Sequence, residues 1–221
     1  VALILRRLLR LARHYGASPQ VLAASATIAN AREHAEALTG LPFEELKAQV
    51  ARTERELLVL LPKPLDRRGE RRRSPLLEAA YLARRLAEAG LKGLVFAGAR
   101  KSAELIARYA AHPLVRPYRA GYTARERRRL EADLKEGRVR VLVSTSALEL
   151  GVDIGELDAV VLVGYPGATA AFWQRAGRAG RRASRSAAVL VASSAPLDQF
   201  IVRNPSYFFD ASPEHILITA G

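Results

Sequence analysis

The sequence predicts an α/β fold in which a parallel β-sheet is covered by helices on both faces. From residue 74 onwards, short and continuously apolar segments alternate with longer segments of helical periodicity. Strands that are buried on both faces of a parallel sheet have this composition. With 49% hydrophobic residues in a chain of 221, there is enough apolar surface for one large or two modest domains.

The first 61 residues are predicted to hold two helices and two strands. Residues 1–15 carry apolar side chains at helical spacing with arginines opposite, and Gly16 follows them. Residues 20–24 suit a buried strand. Asn30 and Glu33 have the spacing of a capping box for a second helix, which Gly40 would end. Residues 56–61 form the second predicted strand.

Residues 62–74 are rich in proline and arginine and are predicted to form an exposed linker, because nothing in them suits burial. Beyond the linker, Ser74 and Pro75 begin a helix that ends at Gly90, and Thr123 with Glu126 forms a capping box for a helix that stops at Gly137. Strands are predicted at residues 93–97, 115–119, 139–144, 159–163 and 187–192, and the remaining helical segments at 101–111, 147–150 and 169–173.

Ligands of parallel sheets collect at the carboxyl ends of the strands. Residues 97–101, 119–121, 144–146 and 164–166 should therefore lie on one edge of the sheet, with the motifs of interest on that edge or just beyond it.

The composition favours a polyanionic partner. The formal net charge is 35 − 22 = +13 and the isoelectric point is near 10.8, a balance typical of nucleic-acid binding. The chain has no cysteine, which excludes disulfides, thiolate catalysis and cysteine-bound zinc, and its four histidines are scattered, so no metal site is expected. No signal peptide or membrane span is evident, and we expect a cytoplasmic location. The chain starts at Val1 and lacks methionine, so we expect it to be part of a longer protein.

Two segments have the chemistry of phosphate binding. Residues 174–181 read Gln-Arg-Ala-Gly-Arg-Ala-Gly-Arg, and arginine offers a rigid fork of donors that matches phosphate oxygens. The alternative is a solvated basic run. Residues 143–154 place hydroxyls at the end of a strand and the start of a helical turn, which suits phosphate binding, and Asp153 could accept from ribose hydroxyls. Alternatively, these side chains only cap their turns.

Five segments together resemble motifs III to VI of the superfamily 2 helicases, in order and spacing: residues 25–27, 94–96, 119–122 with Arg128, 144–154 and 174–181. The amino-acid sequences of residues 147–155 and 174–181 most resemble those of the DEAD/DEAH-like DNA helicases that include the mitomycin-repair helicases. The resemblance implies a RecA-like fold. Residues 1–61 would be the C-terminal part of a first RecA-like domain, 62–74 a basic linker, 75–195 a second RecA-like domain, and 196–221 the start of a further C-terminal segment.

The resemblance also implies roles for individual residues. Arg178 and Arg181 would be arginine fingers that reach the γ-phosphate of ATP, with Gln174 near the nucleotide. Gly151 and Asp153 would hold the ribose side, and Arg175 would connect to the other domain. The nucleic-acid contacts would be Thr145, Gly121, Arg128, Arg100 and Lys101, and Ser25 and Thr27 would couple the two sites. Mg²⁺ would accompany ATP, with its ligands outside this chain, which has no GxxxxGK[ST] loop and no DExx pair.

The resemblance therefore implies an ATP-dependent nucleic-acid helicase or translocase. Ala120 and Gln174 stand where RNA helicases often have histidine, which favours DNA over RNA. This chain alone should be inactive as an ATPase, and an open strand edge at residues 21–24 should promote self-association. Two alternatives remain: a non-catalytic nucleic-acid-binding or adaptor module with the same fold, and a small-molecule enzyme of doubly wound architecture.

Overall fold

The computed structural model describes residues 1–25, 28–46, 55–68, 71–145, 154–180 and 185–206. The described residues up to 46 belong to one compact unit, and those from 55 to 206 belong to a second.

The described residues of the first unit form two helices, α1 (Ala2–His14) and α2 (Ala31–Thr39). They are joined by a hydrogen bond in which the Arg6 guanidinium donates to the Ala37 carbonyl at 2.7 Å. Gly40 ends α2 in a left-handed conformation, as predicted, but the Asn30 side chain makes no capping bond. The capping box predicted at this helix is therefore absent.

The strand predicted at residues 20–24 does not form. Residues 21–25 have no regular secondary structure, and Leu22 is 86% exposed. A strand is stabilised by the hydrogen bonds of a neighbouring strand, and every strand pairing among the described residues belongs to the sheet of the second unit. The open strand edge expected at residues 21–24 is therefore not present, and the self-association predicted from that edge loses its basis.

The second unit is built on a six-stranded parallel sheet of order β1-β6-β5-β2-β4-β3. Its strands are β1 (Arg55–Leu60), β2 (Gly93–Phe96), β3 (Val115–Tyr118), β4 (Val141–Ser144), β5 (Ala159–Val163) and β6 (Ser186–Val191). Its helices are α3 (Pro75–Glu88), α4 (Arg100–Ala110), α5 (Ala124–Lys135), α6 (Thr169–Ala176) and α7 (Pro196–Arg203).

Helices cover both faces of this sheet. Successive residues of a strand point to opposite faces, so each strand contributes side chains to two cores. On one face Leu94 and Phe96 pack in a core cluster with Phe172 of α6 and with residues of α5 and α7. On the other face Val95 packs with residues of α3 and α4, among them Ile106. The fold class predicted from the sequence, a RecA-like parallel sheet with helices on both faces, is confirmed.

The predicted domain boundaries need three corrections. β1, assigned to the first domain, pairs in register with β6 from Arg55 opposite Ser186 to Leu60 opposite Val191, because it completes the hydrogen bonds of β6. The predicted linker contains a buried residue, Pro62, and folds back through an antiparallel bridge between Pro64 and Arg72. Residues 196–203, predicted to begin a further segment, form α7 and place the side chain of Ile201 fully inside the core.

Candidate nucleotide and nucleic-acid site

Three neighbouring strands, β2, β4 and β3, end at the same level of the sheet. Ser144 of β4 lies opposite Phe96 of β2 on one side and opposite Tyr118 of β3 on the other. Neighbouring strands are about 4.8 Å apart, so the loops that follow these three strands begin within about 10 Å of one another. The register therefore brings together three of the segments that the sequence placed on the carboxyl edge.

Four of the five predicted nucleic-acid residues follow directly from these strand ends. Arg100 is the first residue of α4, and it and Lys101 are exposed. Thr145 comes immediately after β4 and is half-buried, and Gly121 is exposed in the loop after β3. The fifth, Arg128, is exposed on α5, where its Nε donates to the Ala124 carbonyl at 3.3 Å. Basic and hydroxyl groups thus follow three adjacent strands on one side of the sheet.

The loop after β3 is held by a capping box at the start of α5. The Glu126 amide donates to Thr123 Oγ1 at 3.2 Å, and the Thr123 amide donates to a Glu126 carboxylate oxygen at 2.7 Å. The bond from the Thr123 amide lowers the pKa of Glu126. The capping box predicted at this helix is confirmed, and it fixes the chain directly after Gly121.

Two side chains of the same region have structural partners that the sequence did not reveal. The Arg119 guanidinium lies 4.6 Å from the Tyr122 ring centroid and donates to Glu104 at 2.5 Å. The hydrogen bond with Tyr122 is the main cause of the raised pKa of Arg119. The Tyr118 hydroxyl donates to Glu131 at 2.7 Å, and burial raises its pKa to about 12. These contacts hold β3 against α4 and α5.

The arginine-rich segment begins on α6 and continues beyond its end. Gln174 is exposed, and the Arg175 guanidinium lies 5.4 Å from the centroid of the Phe96 ring. The Trp173 ring packs edge-on against that of Phe172, with 5.3 Å between the ring centroids. Arg178 is partly exposed, between the fully buried side chains of Ala176 and Ala179.

Two sets of hydrogen bonds hold the end of this segment. Ala179 forms a parallel bridge with Leu157, and the Gly180 amide donates to the Leu157 carbonyl at 3.0 Å. Gly180 has a φ of +72°, a conformation that favours glycine. The guanidinium of Arg55 donates twice to the Ala179 carbonyl, from Nε at 3.1 Å and from Nη2 at 2.7 Å, and burial lowers its pKa.

Arg55 is a positioning residue that sequence reasoning missed. It lies 124 residues before its partner, and no local pattern connects the two. Its two bonds to one carbonyl fix the backbone directly after Arg178.

The position of this segment corrects one expectation. Leu157 precedes β5, so Ala179 and Gly180 lie at the amino end of that strand and not at the carboxyl edge. The physical reason is that α6 starts after the carboxyl end of β5 and runs back along the sheet. The structure therefore does not bring the end of the arginine segment together with the loops that carry Thr145 and Gly121.

Ala179 and Gly180 lie instead beside Leu157. Leu157 follows Asp153 by four residues in the chain. Gly151, Asp153, Arg181 and Thr27 themselves lie outside the described residues. Ser25 is exposed and belongs to the other unit.

A buried carboxylate joins the loops after β5 and β6. Asp198 of α7 is 2% exposed and accepts from the Tyr165 amide at 2.9 Å and from the Ser193 amide at 2.6 Å. No local pattern predicted this contact, and residues 196–221 were predicted to begin a further segment. Within the part of the chain that the structure describes, no cluster of three histidine or acidic residues could hold a metal ion, and none of the described helices is long and apolar enough to cross a bilayer.

The helicase conserved C-terminal domain family matches residues 76–183. The chain is 43% identical over 223 residues to the uncharacterized ATP-dependent helicase YprA of Bacillus subtilis, across 97% of this chain. It is 33% identical over 221 residues to the ATP-dependent helicase hrq1 of Schizosaccharomyces pombe, across 93% of this chain. The chain spans only 30% and 21% of the lengths of these two relatives.

Solved helicase structures are similar to this chain over almost its whole length. The helicase MrfA bound to DNA and AMPPNP superposes on 99% of this chain with a TM-score of 0.88 and 41% identity, and this chain covers 32% of it. Lhr of Mycobacterium smegmatis bound to ssDNA and AMP-PNP gives a TM-score of 0.80 at 29% identity, over 99% of this chain and 29% of Lhr. The likeness to Dbp5 of Saccharomyces cerevisiae, with a TM-score of 0.62 at 20% identity over 87% of this chain and 50% of Dbp5, supports the fold alone.

Proposed function

Because this chain belongs to the superfamily 2 ATP-dependent helicases, in the branch that includes the mitomycin-repair helicases, we propose that it supplies the arginine-finger half of an ATPase site and part of a single-strand track. The activity would belong to a longer protein that translocates along nucleic acid, with DNA as the preferred substrate. The observation that carries this proposal is the docking of Ala179 and Gly180 beside Leu157. Leu157 follows Asp153, the residue proposed to hold the ribose, by four residues in the chain, which supports a common site for Arg178 and Asp153.

Arg178 and Arg181 would act on the terminal phosphate of ATP. Charge develops on the phosphoryl oxygens during its transfer, and a guanidinium placed there stabilises the transition state, an effect of about 10³ to 10⁵ in rate for arginine fingers. Arg178 is partly exposed on a backbone fixed by Arg55, which suits a side chain that must reach a nucleotide held by another domain. Gln174 and Arg175 would complete this surface. The phosphate loop and the Mg²⁺ ligands would come from outside the chain, so this chain alone would not hydrolyse ATP.

The single-strand track would follow the carboxyl edge of the sheet over β2, β4 and β3. Arg100, Lys101, Thr145 and Gly121 follow those strand ends, and Arg128 lies close by on α5. Arginine and lysine contacts to phosphates supply affinity without reading sequence, which fits a protein that moves along a strand. The preference for DNA is supported by the DNA-bound MrfA and ssDNA-bound Lhr structures that this chain resembles.

The ATPase assignment is tested by Arg178→Ala in the longer protein. We expect ATP turnover to fall by about 10³ or more, while binding to a single-stranded oligonucleotide without nucleotide stays within about twofold. Arg85→Ala, at an exposed arginine that pairs with Glu88 on α3, is the control and should leave both unchanged. Turnover of Arg178→Ala within tenfold of the parent would remove the finger assignment. If the parent itself showed salt-sensitive DNA binding but no ATP-dependent change, the non-catalytic adaptor would be the better description.

The track assignment is tested separately with the 221-residue chain and fluorescent oligonucleotides. Lys101→Gln and Thr145→Val should each weaken binding of single-stranded DNA, and binding of the matching RNA should be weaker than that of DNA in the parent. Unchanged affinity in both variants would place the nucleic acid elsewhere. Equal or tighter binding of RNA would overturn the DNA preference but not the track.

A further inference from the structure

Helix α5 carries three exposed arginines on a single face. Arg125, Arg128 and Arg129 are all exposed, and their spacing of three and four residues places them side by side on one face of a helix. The segment from Arg125 to Arg129 rises by about 6 Å. We refer to these three residues as the α5 arginine face.

The acidic residues of α5 are all engaged elsewhere. Glu126 forms the capping box with Thr123, and Glu131 accepts from the Tyr118 hydroxyl. Asp133 is four residues after Arg129 and could pair with it, but it accepts from Arg138 at 2.6 Å instead. No carboxylate of the described part of the chain forms an ion pair with Arg125, Arg128 or Arg129.

Two other helices of this protein pair an arginine with a glutamate. On α2, Arg32 pairs with Glu36 at 3.0 Å, and on α3, Arg84 pairs with Glu88 at 2.8 Å. Like charges at spacings of three and four residues destabilise a helix, and a positive charge in the first turn, such as that of Arg125, also opposes the helix dipole. The α5 arginine face therefore has a cost for folding, which an anionic partner would offset.

The position of α5 in the fold indicates which anion this is. β3 is the last strand at its end of the sheet, so a nucleic-acid strand that crosses β2, β4 and β3 in turn leaves the sheet there. α5 begins three residues after Gly121 and runs back along the sheet beside that end. Its arginine face is the next basic surface that the strand would meet.

We propose that Arg125 and Arg129, together with Arg128, bind the phosphates of the single strand after it leaves the carboxyl edge at β3. The inference rests on the proposed function, since it extends the same track. The partner is the backbone of one strand, so the interaction is independent of base sequence.

The test uses Arg125→Gln/Arg129→Gln in the 221-residue chain, with Arg128 kept, and labelled oligothymidylates of 6 and 18 nucleotides. We expect the affinity for the 18-mer to fall by about tenfold at low salt. The slope of log K against log salt concentration should become less steep by about 1.4, since each phosphate contact to a single strand contributes about 0.7. The 6-mer, which we expect to be satisfied by the carboxyl edge, should lose clearly less affinity.

The matched control is Arg84→Gln/Arg85→Gln, which removes the same charge from α3 on the other face of the sheet. It should leave the salt slope of the 18-mer unchanged. Arg125→Lys/Arg129→Lys should restore most of the slope, and circular dichroism should show that all variants are folded. The proposal would be overturned if the 6-mer and the 18-mer lost affinity equally, or if affinity fell only for oligonucleotides that contain a duplex. It would also be overturned if the α3 control changed the salt slope of the 18-mer equally.

Failure of the extension along α5 can be distinguished from failure of the track. If Lys101→Gln weakens binding but Arg125→Gln/Arg129→Gln does not, the track stands and its extension along α5 is wrong. If neither variant changes the affinity, the track itself is wrong and the extension falls with it.

Discussion

The buried carboxylate of Asp198 allows a stability prediction whose size follows from two hydrogen bonds. Asp198→Asn keeps an oxygen that can accept from one amide, either that of Tyr165 or that of Ser193. The new NH₂ group must then face the other amide, donor against donor. A hydrogen bond to a charged group contributes about 1.5 to 3 kcal/mol, so we expect the free energy of unfolding to fall by about 2 to 3 kcal/mol. For a unit of this size, that loss corresponds to a fall in Tm of about 5 to 10 °C.

Thermal unfolding followed by circular dichroism or calorimetry measures this effect. Glu56→Gln, the same carboxylate-to-amide change at an exposed residue of β1, is the control and should shift Tm by less than about 2 °C. A Tm for Asp198→Asn within that range would show that Asp198 does not join the loops after β5 and β6 as described.

Two further predictions follow from single contacts. Arg55→Met removes both hydrogen bonds to the end of the arginine segment, so we expect hydrogen exchange of the Gly180 amide to be at least tenfold faster. Arg116→Met, on the exposed side of β3, is the control. Unchanged exchange in Arg55→Met would contradict the anchoring role of Arg55. Burial raises the pKa of Tyr118 from about 10 to about 12, so its neutral form stabilises the fold fully below pH 10 and this contribution is lost as the pH rises towards 12. Tyr118→Phe should therefore flatten the fall in unfolding free energy between pH 10 and 12 relative to Tyr109→Phe at an exposed tyrosine, and equal slopes would refute the assignment.

The sequence predicted the sheet well where the signal is local. β5 begins and ends at the predicted residues, and β2, β3, β4 and β6 differ from the prediction by only one or two residues at their ends. β2, β4, β5 and β6 are short apolar runs, a composition typical of strands that are buried on both faces. Local patterns do not show which strands are neighbours in the sheet. β1 was predicted as a strand, but its partner β6 starts more than 120 residues later. For that reason β1 was assigned to the first domain and not to the second.

The two predicted capping boxes show that a sequence motif does not guarantee the hydrogen bonds that it predicts. Asn30 with Glu33 and Thr123 with Glu126 have the same spacing, but only the second box forms. An N-cap side chain reaches the amide three residues on when its own backbone is extended. Thr123 is extended, with φ −60° and ψ 156°, whereas Asn30 has φ −111° and ψ 48°.

For the candidate site, the sequence predicted the residue types but not the geometry that holds them. Arg100, Thr145 and Gly121 come together because three strands end in register, which follows from the predicted alternation of strands and helices. The double hydrogen bond from Arg55 to the Ala179 carbonyl depends on a tertiary contact across the length of the second unit. A local sequence pattern cannot predict such a contact, because nothing near Arg55 in the sequence indicates which residue it will bond.

The rate of ATP cleavage in a single turnover by Arg178→Lys tests the central claim most directly. The longer protein would be saturated with ATP and single-stranded DNA, and ATP affinity would be measured in parallel. Lysine keeps the positive charge but loses the planar fork, so we expect the cleavage rate to fall by at least a hundredfold while ATP affinity changes by less than about threefold. A cleavage rate within tenfold of the parent would contradict it.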